Sequence, residues 1–322
     1  MTVMTQNLYL GADIDPVLNA PSPNEAPIRV ARTWSAILAT RFPERARALA
    51  GRIAAVRPHL VGIQEVALFR IRPPGDLGVG CPAPAREVAF DYLSALLSEL
   101  KARGLAYRAV AVCAGVDVEL PSATGDRIRI TDQNAILARA DVETSSPQTG
   151  NFALNLTASV GGPEGLPLTL LRGWASVEAT VSGRTLRFVN THLERETFPA
   201  VQLAQTDELL KTLDGLTLPV VLVGDFNSAS DGGVTPAYER LIGASFADAW
   251  GLREAGFTCC QESDLLNPTS RLNRRIDLIL VRGGLSVADA RIVGDDPADR
   301  TPSGLWPSDH AGVVARLRFP PA

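Results

Sequence analysis

The chain has 322 residues, 46% of them hydrophobic and 20% charged, with a formal net charge of −4. That is enough apolar material to bury a sizeable core, and no apolar run approaches the roughly 18 residues that a membrane-spanning helix needs. Lys101 and Lys211 are the only lysines and no block of like charge resembles a polybasic arm, which argues against a tight, non-specific hold on nucleic acid.

A nuclease is not thereby excluded, because a divalent cation can supply positive charge locally. The start, Met1 to Asn7, shows no basic residue followed by an apolar stretch. The expectation is a soluble protein, either cytoplasmic or secreted with a leader already removed. None of the four cysteines (Cys81, Cys113, Cys259, Cys260) has C-x-x-C spacing, and three histidines are too few for a zinc-rich site. Cys259 and Cys260 are not expected to pair with each other, since disulfide geometry strains the intervening peptide. Free or buried thiols and a longer-range bridge both stay open.

Short apolar runs alternate with amphipathic segments, the pattern of an α/β protein. Val3 to Leu8 reads as a first strand and the segment near Ile28 to Ala39 as a helix. A second helix starts near Pro43, carries Ala46, Leu49, Ala50 and Ile53 on one face, and stops before Pro58. Leu60 to Gln64 is a buried strand. Ala89, Leu93, Leu96, Leu97 and Leu100 mark the next helix, which ends by Gly104. The middle is strand-rich: Tyr107 to Cys113, Asn134 to Arg139, Leu168 to Val181 and Thr185 to Thr191, the last two joined by a hairpin turn at Ser182-Gly183. A helix over Pro199 to Leu213 follows, then the strand Val220 to Val223, a short helix near Pro236 to Ile242, the strand Ile276 to Val281 and a last strand Gly312 to Leu317. Residues 70–86 and 144–167 read as long connections, candidates for substrate selection. No repeat or interdomain linker interrupts the pattern, so a single domain over residues 1–322 is expected.

Polar residues cluster where these strands end. Val220 to Val223 runs into Gly224-Asp225-Phe226-Asn227; in an extended segment residues i and i+2 share a face, so Asp225 and Asn227 point together while Phe226 turns to the core. A carboxylate there can orient and deprotonate water, and an amide can hold that water or a phosphate oxygen. Asn190 and His192 end another strand in the same way, and a histidine so placed can donate to a phosphate oxygen as charge develops. Asp277 lies in an otherwise apolar strand and needs a partner; His310 and Arg275 are both available. Ser308-Asp309-His310 precedes the last strand, and Pro307 favours the bend that would bring Asp309 and His310 to one place. Glu65 follows the strand Leu60 to Gln64, and Asn7 sits late in the first strand. Such an oxygen-rich set of Asn, Glu and Asp suits Mg²⁺ better than zinc. His59, at a helix–strand junction, is assigned no role.

In order, Asn7, Gln64-Glu65, Asn190-Thr191-His192, Gly224-Asp225-Phe226-Asn227, Arg275-Ile276-Asp277 and Ser308-Asp309-His310 resemble the motifs of the endonuclease/exonuclease/phosphatase superfamily. Its members include deoxyribonuclease-I-like nucleases, abasic-site endonucleases, bacterial sphingomyelinases and inositol polyphosphate 5-phosphatases. The resemblance implies a four-layer α/β sandwich, two packed mixed β-sheets flanked by helices, with the site at one edge. It also implies a metal-dependent phosphoric ester hydrolase. Glu65 would be the principal ligand of Mg²⁺, with Mn²⁺ able to substitute, and Asn7 and Asp309 would lie close to the ion. Asp225 would orient or deprotonate water with help from Asn227, while His310, supported by Asp277, and His192 would contact the scissile phosphate. Which histidine protonates the leaving group stays open. Arg172 is a further candidate for a phosphate contact.

The expected mechanism is in-line attack of water on phosphorus with no covalent enzyme intermediate. The expected substrate is a phosphate ester, with a phospholipid or small phosphodiester favoured over DNA or RNA by the apolar segment 152–171. A non-catalytic binding domain of the same fold is the remote alternative. The chain is expected to act as a monomer, without a stable protein partner.

Overall fold

The computed structural model describes residues 1–73, 84–230, 235–251 and 256–320. In chain order its elements are β1 (Thr2–Asn7), α1 (Asp15–Leu18), α2 (Glu25–Ala39), α3 (Phe42–Val56), β2 (Leu60–Gln64), β3 (Leu68–Arg72), β4 (Glu87–Asp91) and α4 (Tyr92–Ala102). There follow β5 (Tyr107–Pro121), β6 (Arg127–Arg139), β7 (Glu143–Asn151), β8 (Leu156–Val160), β9 (Leu166–Leu170), β10 (Gly173–Val181), β11 (Arg184–His192) and α5 (Pro199–Thr212). The chain closes with β12 (Val220–Asp225), α6 (Ala237–Gly243), β13 (Ala247–Asp248), β14 (Asp277–Arg282), β15 (Ser286–Val293) and β16 (Gly312–Arg318). No described helix is long and apolar enough to cross a membrane.

Two mixed sheets carry the structure. The first has the order β15-β16-β1-β2-β6-β3-β4, with β5 also paired to β6; the second runs β13-β14-β12-β11-β10-β7. Apolar side chains on their facing surfaces interdigitate: Val3, Leu60 and Ile136 of the first sheet meet Val177, Phe188, Val221 and Ile279 of the second. The outer face of the first sheet packs on α2, α3 and α4 through residues such as Ile37, Leu49, Ile53 and Leu96. That of the second packs on α5 and α6 through Leu209 and Leu241. This is the four-layer α/β sandwich expected. Each fully buried aliphatic or aromatic side chain stabilises such a core by roughly 1.5–3 kcal/mol.

Local sequence explains the elements that hold. In α3, Pro43 occupies the first turn, where no N–H is needed, and Arg57 ends the helix with φ of 50° just before Pro58. In α4, Asp91 caps the helix by accepting from Ser94 N at 2.9 Å. Ala89, expected on the first turn of that helix, lies instead in β4.

The segment 144–167 departs furthest from its expected loop. It contains most of β7, all of β8 and the start of β9. β7 ends its sheet and is largely exposed, so its residues Thr144-Ser145-Ser146-Pro147-Gln148 carry no apolar alternation; the register shifts where Ser146 and Pro147 sit. The single strand expected over Leu168 to Val181 breaks at Leu171-Arg172 into β9, which pairs only with β8, and β10. β3, β4 and β15 were not anticipated either. Of the expected connection 70–86, Arg70 to Arg72 belong to β3, and residues 74–83, including Cys81, lie outside the described residues.

Pairing places the chemistry. β1 and β2 are parallel with Asn7 opposite Gln64, and β11 and β12 are parallel with His192 opposite Asp225. β14 runs antiparallel to β12, so its first residue, Asp277, faces Asp225. Polar groups separated by hundreds of residues therefore emerge along one edge of the sandwich.

Candidate active site

Asp225 is the hub. Its Oδ1 accepts from Asn227 N at 2.9 Å and its Oδ2 accepts from Asn7 Nδ2 at 3.1 Å, a contact that bridges the two sheets. His192 Nε2 lies 3.4 Å and His310 Nε2 3.9 Å from the same Oδ2. Burial, reinforced by the Asp277 charge, pushes Asp225 up to about 7. The preceding Gly224 has φ of 151°, and a Cβ there would collide with the Thr191 carbonyl oxygen. Asn227 itself is left-handed, with φ of 50°. The chain thus turns sharply where the strand delivers its carboxylate, and Phe226 is buried in the outer core as expected.

His310 Nδ1 contacts Asp277 Oδ2 at 2.8 Å, whereas Arg275 pairs with Asp248 at 2.7 Å. Of the two partners open to Asp277, the histidine is the one used. Burial alone pushes His310 down, but the Asp277, Asp309 and Asp225 carboxylates outweigh it and hold the imidazole well above its ordinary value. The bend expected at Ser308-Asp309-His310 is present: Ser308 Oγ accepts from His310 N at 3.1 Å and donates to Asn7 O at 2.7 Å.

His192 has the opposite electrostatics. Burial, then the nearby charges of Arg172 and His310, hold it well below its ordinary value. Arg172 Nη1 sits 2.9 Å from its Nδ1, and Asn227 Nδ2 is 3.2 Å from its Nε2. Two histidines thus face one carboxylate, one favouring its cation and the other its neutral form.

Glu65 stands just beyond β2 with φ of 53°; its Oε2 accepts from Leu10 N at 2.7 Å and its Oε1 from Asn7 Nδ2 at 3.2 Å. Burial and the neighbouring Glu65 raise Asp309 to about 7, although His310 pulls the other way. Asn7 Oδ1 accepts from Tyr9 N at 2.9 Å, leaving one lone pair of that oxygen for a further contact. Crowded carboxylates that repel one another, with oxygen donors and few cations beside them, form a set that a hard divalent cation fits. The donor atoms of Asp225, Asp277 and His310 also lie within 4.8 Å of one another, but the His310–Asp277 contact already uses the imidazole Nδ1.

Asn190 is not at the cavity. Its amide joins the sheets below it, donating to Ile63 O and Ala135 O at 3.0 Å and accepting from Gln64 Nε2 at 2.6 Å. His59 accepts from Thr2 N at 3.0 Å, away from the cluster.

Several residues of the site carried no recognisable mark in the sequence. Asp132, on β6, is buried and raised to about 7 by burial and by Glu65. Glu194 is almost fully buried, 3.8 Å from Arg172. Arg45, completely buried on α3, donates to Leu8 O at 2.7 Å and Pro307 O at 3.0 Å, tying together the backbones beside Asn7 and Asp309. Cys259 and Cys260 are joined to each other, contrary to expectation. The segment is not a regular strand there: Cys259 forms single bridges to both Arg274 and His310, and Cys260 Sγ lies 3.9 Å from His310 Nε2. Arg172 is the phosphate contact suggested by the sequence; Asp132 and Glu194 sit in polar stretches (Thr131-Asp132-Gln133 and Glu194-Arg195-Glu196), where nothing singles them out.

Glu65, Asp132, Glu194, Asp225 and Asp309, with Arg172, His192, Asn227 and His310, border a cavity of about 460 Å³, whereas Asn7, Arg45, Asp277 and Ser308 do not line it. Seven carboxylates and two arginines line it among the described residues.

Residues 4–310 match the model of the Endonuclease/Exonuclease/phosphatase family. The chain belongs to that family, and is a metal-dependent phosphoric ester hydrolase. Solved structures of the same fold include an endonuclease/exonuclease/phosphatase family protein from Leptotrichia buccalis, 15% identical with a TM-score of 0.61, covering 99% of this chain and 100% of that one. D. rerio TDP2 with 14 humanizing mutations is 15% identical at a TM-score of 0.59, covering 99% of both chains. The mannosyl-6-phosphatase of Bacteroides thetaiotaomicron is 19% identical at a TM-score of 0.57, covering 99% of this chain and 100% of that one. No curated protein matches the chain significantly in sequence.

Proposed function

We propose that the chain is one catalytic domain, acting as a monomer, that hydrolyses a phosphodiester with Mg²⁺, and that its substrate is a phospholipid or small phosphodiester rather than a nucleic acid. The observation that carries the reading is the convergence of His192 Nε2 and His310 Nε2 within 3.9 Å of Asp225 Oδ2, with His310 backed by Asp277. Glu65, Asp309 and the free lone pair of Asn7 Oδ1 would hold Mg²⁺, which would supply charge stabilisation to the phosphate and leaving-group oxygens.

The protein's own groups divide the remaining work. Asp225, held by Asn227 N and Asn7 Nδ2, orients water and takes its proton; an acid raised to about 7 is a competent base near neutral pH. His310 is kept protonated by Asp277 and donates to the phosphate or to the departing oxygen. His192, neutral and lodged between Arg172 and Asn227, fixes the near edge of the phosphate site, and Arg172 offers a guanidinium to its oxygens. The excess of acids over arginines around the cavity opposes a long polyanion, whose many phosphates need cationic partners.

The test is hydrolysis of bis(4-nitrophenyl) phosphate with Mg²⁺ and with EDTA, by the wild type and by Asp225→Asn. Loss of at least roughly 10²-fold in turnover is expected for the variant. Full activity in Asp225→Asn, or in EDTA, would refute the assignment. Duplex DNA cleaved faster than small diesters would favour the nuclease reading.

A further inference from the structure

The catalytic groups occupy only part of the cavity they border. Much of the rest of its wall is apolar, including Val17 of α1, Val30 and Trp34 of α2, Val118 of β5, Ile128 of β6 and Leu168 of β9. Val17, Val30 and Ile128 form a small apolar cluster of their own with Val160 of β8, separate from the three cores between and outside the sheets. An apolar cluster beside an open cavity loses part of the burial a closed core would provide. That cost is offset when an apolar ligand fills the space.

The β8–β9 hairpin completes this wall. It forms a separate two-stranded sheet, outside both main sheets, yet presents Leu168 and Leu170 to the cavity. Among the described residues, the one lining cation outside the catalytic groups, Arg195, is engaged with Asp15 at 2.7 Å, and both are over a third exposed. Arg195 and Asp15 thus neutralise each other toward solvent. A volume near 460 Å³ lies in the range of pockets that enclose one small ligand.

From this continuity between the catalytic cluster and an aliphatic wall, we infer that the substrate is an amphiphilic phosphodiester whose single aliphatic chain is drawn into the chamber lined by Val17, Val30, Trp34, Val118, Ile128 and Leu168. The inference rests on the phosphodiesterase reading and adds the part of the substrate that reading leaves open. The chain is held inside the protein, so the substrate is taken as a monomer extracted from or existing outside a bilayer. Branched aliphatic walls grip a flexible methylene chain through many weak contacts and impose no hydrogen-bond requirement on it.

Two measurements separate the inference from its foundation. Methyl, butyl, hexyl and octyl phosphate are titrated into the full chain with Mg²⁺, following the fluorescence of Trp34 against a Trp34→Phe control. The 4-nitrophenyl esters of the same alkyl phosphates are then assayed for release of nitrophenolate. Octyl phosphate should bind at least roughly tenfold more tightly than methyl phosphate, since a fully buried methylene is worth roughly a three- to fourfold gain. Val118→Trp and Leu168→Trp, which each fill part of the chamber, should erase that gain in binding and in kcat/KM. Both should leave turnover of the methyl ester within about twofold of wild type.

Equal binding of methyl and octyl phosphate overturns the inference, whether or not the diesters are hydrolysed. So does a loss in the filled variants that is the same for methyl and octyl compounds. Chain-dependent binding without Mg²⁺-dependent turnover of any ester would instead uphold the chamber and refute the phosphodiesterase reading.

Discussion

His310 Nδ1 lies 2.8 Å from Asp277 Oδ2, and the other oxygen of that completely buried carboxylate finds no hydrogen-bond partner among the described residues. Asp277 thus holds and charges the imidazole, besides the part its charge plays in raising Asp225. Asp277→Asn should lower kcat by at least roughly 10²-fold while KM changes little. Without the neighbouring charge the His310 cation is less favoured, so the alkaline limb of the rate profile should move to lower pH. The sign extends to stability. A histidine raised in the folded state contributes stability that is full below about 6.5 and fades as pH rises through its raised value. The stability gap between wild type and Asp277→Asn should therefore be widest in mild acid and close in alkali. Denaturant melts across that range check it, and a constant gap would contradict the assignment.

Metal uptake should release protons. Asp225 and Asp309 both sit at about 7 in the metal-free protein, so near neutral pH each is partly protonated. A divalent cation favours the ionised forms. Binding of Mg²⁺ should tighten as pH rises from 6 to 8 and should expel protons at pH 6.5. Calorimetry in buffers of different ionisation enthalpy measures the release directly. Asp309→Asn should reduce it and weaken the affinity; proton-neutral binding in the wild type would count against these ligands.

Arg45 should prove structural and, through structure, necessary to the metal site. Its guanidinium also reaches Thr40 O at 3.0 Å and Tyr9 O at 3.1 Å. Arg45→Met removes the donors and leaves buried carbonyls unsatisfied, a loss of about 2–4 kcal/mol in stability. Thermal melts should register that loss. Mg²⁺ affinity should fall as well, because the Leu8 and Pro307 backbones flank Asn7 and Asp309.

The turn after β12 offers a backbone test. Gly224→Ala forces a Cβ against the Thr191 carbonyl at a φ that L-residues rarely adopt. It should cost about 2–3 kcal/mol or more in stability and cut activity by separating His192 from Asp225. A fully active, fully stable Gly224→Ala would mean the turn is looser than drawn.

What could be read in advance follows burial. Val220 to Val223 and Leu60 to Gln64 are covered on both faces, so their apolar runs announce strands, and the polar residues that follow announce a site. β7 and β8 lie at margins with few buried side chains, and an edge strand of Ser, Thr, Pro and Gln has the composition of a loop. Asp225, His192 and His310 were legible because each ends or adjoins such a run. Arg45 was not, since nothing within α3 distinguishes an arginine aimed at distant carbonyls from one on a solvated face. Asn190 misled for a related reason. Its alternation with His192 is real, but one side chain points into the seam between the sheets and the other reaches the cavity. The Cys259–Cys260 join runs against the strain that disulfide geometry puts on the intervening peptide, and nothing in the spacing announces it.

The contact from Asn7 Nδ2 to Asp225 Oδ2 crosses from one sheet to the other. Glu65 and Asp309 come from the first layer of strands, His192, Asp225 and Asp277 from the second. On the proposed mechanism neither half owns enough chemistry to turn over substrate, so a chain caught with one half organised and the other loose should be inert. Recovery of catalysis during refolding would therefore time the moment when the halves clasp, later than any signal from strand formation alone.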